Sequence, residues 1–295
     1  AIRDVYKRQF QMWSSPVANA ILLGAGGVFD GSNPCRTMVW NASSQRWKYD
    51  YIPGSVYDCG GGNITFTARF LMFDDPADNI MDVARGYFLP GQQNSPTVVF
   101  EGPVFNGTIL KPVFETNSIT PYTGDDWNLL GNPYPSALSI NDWLTANSAV
   151  LSTEAIYLWD DDGSVGADYD EFDDYATINR LGWVNNGTRD MDGNGKFADP
   201  PVGIASGQGF FIESRVIGNV TFNNSMRLIG ENDKFYKTQP DNDPKIWLTI
   251  TGEDEEDNQT LVGFKQDATL LKDKQYDAQI LNAKGTLSIG TILDD

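Results

Sequence analysis

The sequence predicts an all-β protein: two tandem β-sandwich or jelly-roll-like repeats, followed by the start of a third β-domain. Three observations carry this. Apolar, β-branched and aromatic residues gather in alternating or continuous runs of about four to eight residues, the signature of half-buried or fully buried strands. Turn formers punctuate those runs, with 29 Gly, 15 Pro and recurrent Asn-Gly, Asp-Gly and Pro-Tyr-Pro steps. Finally, four features recur in the same order, about 115 to 125 residues apart, which points to a duplication.

Residues 1–9, AIRDVYKRQ, are basic in a strongly acidic chain and read as a non-native tail outside the fold. The first repeat is expected over 10–118 and the second over 119–238. Trp13-Ser-Ser-Pro16 is echoed by the segment from Trp127 to Pro133, and Met38-Val-Trp40 by Tyr157-Leu-Trp159. Gly86-Tyr87-Phe88 is echoed by Gly209-Phe210-Phe211, and Val98-Val-Phe100 by Val220-Thr-Phe222. The segment 115–126 separates the units, and the Pro-, Asp- and Asn-rich stretch 236–244 follows the second. After it, KIWLTITGEDEEDNQTLVGF reads as a hairpin with an acidic turn, opening a truncated third β-domain over 239–295. The best helix candidate is Ser139–Val150, with Ser139 or Asn141 as N-cap and Trp143 and Leu144 on one face.

Composition narrows the function. The formal net charge is −19 and the chain contains no His. So acidic a surface repels nucleic-acid phosphates and anionic membranes, so no nucleic-acid partner is expected. No apolar run is long enough to span a membrane, so no membrane insertion is expected. Without His there is no Ser-His-Asp triad and the commonest zinc ligand is missing. Carboxylate pairs can run glycoside hydrolysis, but nothing singles out one pair among 40 acidic residues, so the reading is non-catalytic. Cys35 and Cys59 form no CxxC motif; a disulfide between them and two separate thiols both fit.

The sharpest candidate site is RDMDGNGKFADPP, residues 189–201. Asp190, Asp192 and Asn194 place oxygen side chains at alternate positions, with Gly193 and Gly195 between them, as in a calcium-wrapping loop. The Lys196 carbonyl and Asp199 complete the expected ligand set, making calcium the expected cofactor. Pro201 stands where an EF-hand carries its bidentate Glu, and an ordinary solvated Asp/Asn/Gly turn fits the same residues. Upstream, the acidic run from Asp160 to Asp174 reads as a solvated loop or a second cation-binding stretch. Trp47, Tyr49, Tyr51, Trp143 and Trp183 are the aromatics that would stack on sugar rings in a carbohydrate-binding module. In β-sandwiches such residues more often fill cores.

Several phrases are distinctive: GDDWNLLGNPYPSAL (124–138), AIYLWDD (155–161), IASGQGFFIES (204–214) and TLVGFKQDATLLKDKQYDAQIL (260–281). They resemble segments of large Bacteroidetes secreted proteins, where such segments lie upstream of a C-terminal type IX secretion sorting domain. WSSPVANA (13–20) and RGYFLPG (85–91) fit the first part of the same arrangement. The resemblance implies an extracellular or cell-surface location and no catalytic residues. The resulting expectation is a structural or adhesive module, with an extracellular glycan or a surface protein as partner. The alternative is a carbohydrate-binding module attached to a polysaccharide-acting enzyme.

Overall fold

The computed structural model describes residues 10–22, 27–28, 38–42, 46–49, 56–58, 63–65, 80–90, 98–115, 126–159, 175–184, 203–229, 244–251, 257–278 and 289–290. The protein is all-β, with one α-helix among the described residues. The strands are β1 (Phe10–Trp13), β2 (Met38–Asn41), β3 (Arg46–Tyr49), β4 (Val56–Asp58), β5 (Asn63–Thr65), β6 (Tyr87–Pro90) and β7 (Ile109–Val113). Next come β8 (Trp127–Gly131), β9 (Leu138–Ser139), helix α1 (Ile140–Asn147), β10 (Ala155–Trp159), β11 (Tyr175–Asn179), β12 (Trp183–Val184) and β13 (Gly203–Ile204). The last are β14 (Gly209–Glu213), β15 (Gly218–Phe222), β16 (Lys245–Thr251) and β17 (Asp257–Gly263).

Two sheets dominate. One is four-stranded in the order β1-β6-β2-β3, and the other five-stranded in the order β12-β11-β10-β14-β8. Both are antiparallel throughout. Shorter ladders join β4 to β5, β9 to β13, β7 to β15 and β16 to β17. β7 precedes residue 118 yet pairs with β15, and Val113 sits in the core of the second half. The strand before the expected repeat boundary therefore serves the later half.

The sheets pack face to face, giving three apolar layers. Alternation along each strand sorts the side chains, because successive residues point to opposite faces. In β14, Phe210 and Ile212 join Trp143, Leu144 and Phe222 in a core outside the five-stranded sheet. Phe211, between them, turns inward to Met12, Phe88, Trp127 and Tyr157 in the layer between the sheets. In β6, Phe88 faces that shared layer, whereas Tyr87 and Leu89 face a third cluster with Val39 and Met81. β8 and β14 are thus buried at every position, as strands covered on both faces require. This explains the continuously apolar run GFFI at 209–212.

Helix α1 forms where expected. Ser139 caps it, its Oγ accepting from the Asp142 N–H at 3.2 Å, and Asp142 suits the positive end of the helix dipole. Trp143 and Leu144 are fully buried. Asn147 ties the helix to β15 as a strand would: its amide donates to the Thr221 carbonyl (3.0 Å) and its Oδ1 accepts from the Thr221 N–H (2.7 Å). Asn128 pairs with both backbone groups of Phe114 in the same way, at 2.9 Å each.

The edges of the two sheets meet at Gly131, where a Cβ would lie 2.1 Å from the Ser14 Cβ. Only one side chain fits at this crossing. Gly131→Ala is expected to lower the melting temperature sharply, and adding Ser14→Gly to recover most of the loss. A single variant that melts like the parent would contradict this close approach.

Candidate functional site

The predicted cation loop (Asp190, Asp192, Asn194, Lys196, Asp199) lies outside the described residues, as do residues 160–174, Tyr51, Cys35 and Cys59. No group of three or more His, Cys, Asp or Glu placed to hold a metal occurs among the described residues. Trp47 and Tyr49 lie on β3, opposite Trp40 and Met38. For Trp143 and Trp183 the sugar-stacking expectation is corrected. They are only 0% and 4% exposed, and the Trp143 ring meets Phe210 edge-on at 5.2 Å. Both are core residues because their strand and helix faces point inward.

The described surface instead offers a region where the C-terminal hairpin meets the outer edge of the five-stranded sheet. Asn179 organises the β11–β12 turn: its Oδ1 accepts from Leu181 N–H (2.8 Å) and Gly182 N–H (3.2 Å). Its amide donates to the Tyr276 carbonyl at 2.6 Å. The Trp247 indole N–H donates to the Trp183 carbonyl at 3.1 Å, docking β16 on β12. Between them lies a cleft of about 50 Å³ lined by Thr177, Leu181, Trp183, Thr260 and Tyr276 among others. This volume suits a water or a small polar group; binding pockets for organic ligands are several-fold larger.

Beyond β17 a strap, residues 265–278, is latched to the second half by charge. Glu154 is buried, and its Oε2 accepts from Arg180 Nε at 2.6 Å. Its Oε1 lies 3.8 Å from Lys274 Nζ. Lys274 Nζ also donates to the Ser148 carbonyl, and the Glu154 N–H donates to the Lys274 carbonyl at 2.7 Å. Burial holds the Lys274 ammonium below its ordinary pKa, and the charge of Arg215 adds to the lowering. Burial likewise raises the Glu213 carboxyl, partly offset by the charge of Lys272 in the same strap. The strap's own shape comes from Thr269, whose Oγ1 donates to Asp273 Oδ1 at 3.0 Å, and from Tyr276 OH, which donates to Asp267 at 2.8 Å.

The latch leaves Arg180 and Lys274 around a carboxylate that no longer has contact with water. Removing that charge takes away the carboxylate that Arg180 and Lys274 share, leaving them the Thr145 hydroxyl and the Ser148 carbonyl. Glu154→Gln is expected to speed proteolysis of 265–278 at least tenfold while the core of the second half stays protected. Equal cleavage rates in variant and parent would mean that the strap is held without the ion pairs.

Large apolar side chains stay exposed in this C-terminal region: Ile246 and Leu248 on one face of β16, Trp247 on the other, Phe264 just after β17, and Leu270 and Leu271 in the strap. In the sequence the hairpin reads only as a fold element, and the signal for a surface is Ile246-Trp247-Leu248, which puts apolar side chains on both faces of the ribbon. No helix among the described residues is long and apolar enough to cross a membrane. A family model described as "Domain of unknown function (DUF8693)" matches residues 2–295. No curated protein and no solved structure matches the chain.

Proposed function

The chain belongs to the DUF8693 family, a domain of unknown function, and from that premise we propose that it is a non-catalytic structural or adhesive module of a large secreted or cell-surface bacterial protein. The observation that supports this reading most is the exposed apolar surface of the hairpin, with Ile246 and Leu248 side by side on one face of β16. Contiguous exposed apolar side chains of this kind mark contact surfaces for other macromolecules. Export is supported by the resemblance of segments 124–138, 155–161, 204–214 and 260–281 to secreted Bacteroidetes proteins, and by the net charge of −19.

An antibody against the chain should label intact source cells or the medium; labelling only after lysis would overturn the assignment. For the carbohydrate-binding alternative, Trp247 is an exposed aromatic that the sequence candidates did not include. Saturable retention on an immobilised polysaccharide, abolished by Trp247→Ala, would favour that alternative over the structural module.

Calcium is proposed to stabilise the second half through Asp190, Asp192, Asn194, Asp199 and the Lys196 carbonyl. The alternation of oxygen side chains and glycines supports it. Binding only to the folded state should add about 3 kcal/mol at a hundredfold excess of calcium over Kd. The melting temperature is therefore expected to rise in millimolar calcium over chelator, and not to rise in Asp190→Ala with Asp192→Ala. An unchanged melting curve in the parent would reduce the loop to a turn.

A further inference from the structure

We infer that the β1–β6 half and the β8–β14 half are two copies of one fold bound about a pseudo-twofold axis, so that the inner aromatic face of each is an association surface fitted to a second copy of itself.

The copying is written in topology and register. The order β1-β6-β2-β3 of one sheet is repeated as β8-β14-β10-β11 in the other. Phe88 lies opposite Met12 on one side and Met38 on the other. Phe211 lies opposite Leu129 and Tyr157 in the same way. Trp40 faces Trp47 across β2–β3, as Trp159 faces Tyr175 across β10–β11. After the first strand of each half comes the same side-chain turn. Val17 N–H donates to Ser15 Oγ at 3.2 Å, and Tyr134 N–H donates to Asn132 Oδ1 at 3.0 Å, with Pro16 and Pro133 between. Two residues before the strand glycine (Gly86 or Gly209), both halves adopt the left-handed conformation, at Ala84 (φ 54°) and Gly207 (φ 73°). An alanine rarely takes that conformation without a demand from the surrounding fold.

The association is written in reciprocity. Ser14 N–H donates to the Gly207 carbonyl (2.7 Å), and its counterpart Gly131 N–H donates to the Ala84 carbonyl (3.2 Å). Trp13 bridges to Gln208, and its counterpart Leu130 bridges to Arg85. A Cβ on Gly86 would meet Leu129, and one on Gly209 would meet Met12. Phe88 meets Trp159 edge-on at 4.8 Å, and Phe211 meets Trp40 edge-on at 5.4 Å. Each of these contacts occurs twice with the halves exchanged, which is what an isologous interface requires. Ser14 and Gly131 are counterparts that touch each other, so the axis passes between them. Two unrelated sheets stacked in a sandwich have no reason to exchange partners in this way.

The test uses the whole chain with a protease site inserted after Ser118. After cleavage the two pieces are expected to co-elute at micromolar concentration at the size of the uncut chain. Because the ladder β7–β15 also spans the cut, the aromatic face needs its own readout. Phe88→Ala and Phe211→Ala, being counterparts, should each weaken association of the cut pieces at least tenfold and to within about threefold of one another. Pieces that separate on cleavage would overturn the inference. So would pieces that stay together undiminished when both phenylalanines are replaced.

Discussion

Replacing Phe211 with alanine is expected to destabilise the protein by about 3–5 kcal/mol, the range for a buried aromatic whose site cannot collapse. The ring is only 4% exposed and meets Trp40, Trp127 and Tyr175 at centroid distances of 5.4, 6.4 and 6.0 Å. Its neighbours come from both sheets, so neither sheet can move in to fill the space without losing its own outer core. Against a typical total of about 5–15 kcal/mol, this is a large share of the stability. Urea unfolding should show a lower midpoint with an unchanged slope. A loss below about 1 kcal/mol would place the ring at a surface and not between sheets.

Asn132→Ala is expected to cost a similar amount for a different reason. Asn132 is fully buried, and its amide donates to the carbonyls of Ser136 (2.9 Å), Ile204 (3.0 Å) and Ala205 (3.1 Å). Its Oδ1 accepts from the Tyr134 N–H at 3.0 Å. Alanine takes a donor from each of these carbonyls and the acceptor from Tyr134 N–H; the Ala205 carbonyl keeps the Gln208 N–H at 3.1 Å, and each group left unpaired where water cannot reach costs about 1–3 kcal/mol. Asn132→Asp should be nearly as damaging, because a carboxylate faces carbonyls where N–H donors are needed. Hydrogen exchange at Tyr134 should quicken in both variants. If Asn132→Asp folds with parental stability, the amide is not what secures this turn.

Much of the architecture is legible in the sequence because its signals are local. Alternating runs gave the strands, and the acidic turn between KIWLTIT and DNQTLVG marked the hairpin that β16 and β17 form. Ser139 marked the helix start because a cap acts within one turn. Three of the four recurring features lie on strands of the two large sheets, whereas residues 98–100 form no strand and residues 220–222 lie on β15, which pairs with β7 outside them. Residue identity is a poor guide to the counterparts: the sequence aligns Trp13 with Trp127, yet Trp13 lies opposite Tyr87 as Leu130 lies opposite Phe210. A core position keeps its face and its apolar volume, while the residue type is free to change.

The remaining features depend on contacts far apart in the chain. EAIYLWD reads as a strand, but nothing in it shows that Glu154 will meet Arg180 and Lys274. Nor does ILKPV show that β7 will pair with β15 instead of the strands before it. Trp143 and Trp183 have the chemistry of sugar platforms, and only the direction of their elements makes them core. For the candidate contact surface the sequence held a clue in retrospect. Ile246, Trp247 and Leu248 are consecutive, so both faces of the ribbon carry apolar side chains.

Differential scanning calorimetry of the intact chain tests the central claim, that the halves share one aromatic layer. A layer built from Phe88 and Trp40 of one sheet and Phe211 and Trp159 of the other cannot melt on one side alone. The account predicts a single transition for the two sheets, with equal calorimetric and van't Hoff enthalpies. Phe211→Ala should shift that whole transition to lower temperature. Two separated transitions, with Phe211→Ala moving only one of them, would contradict it.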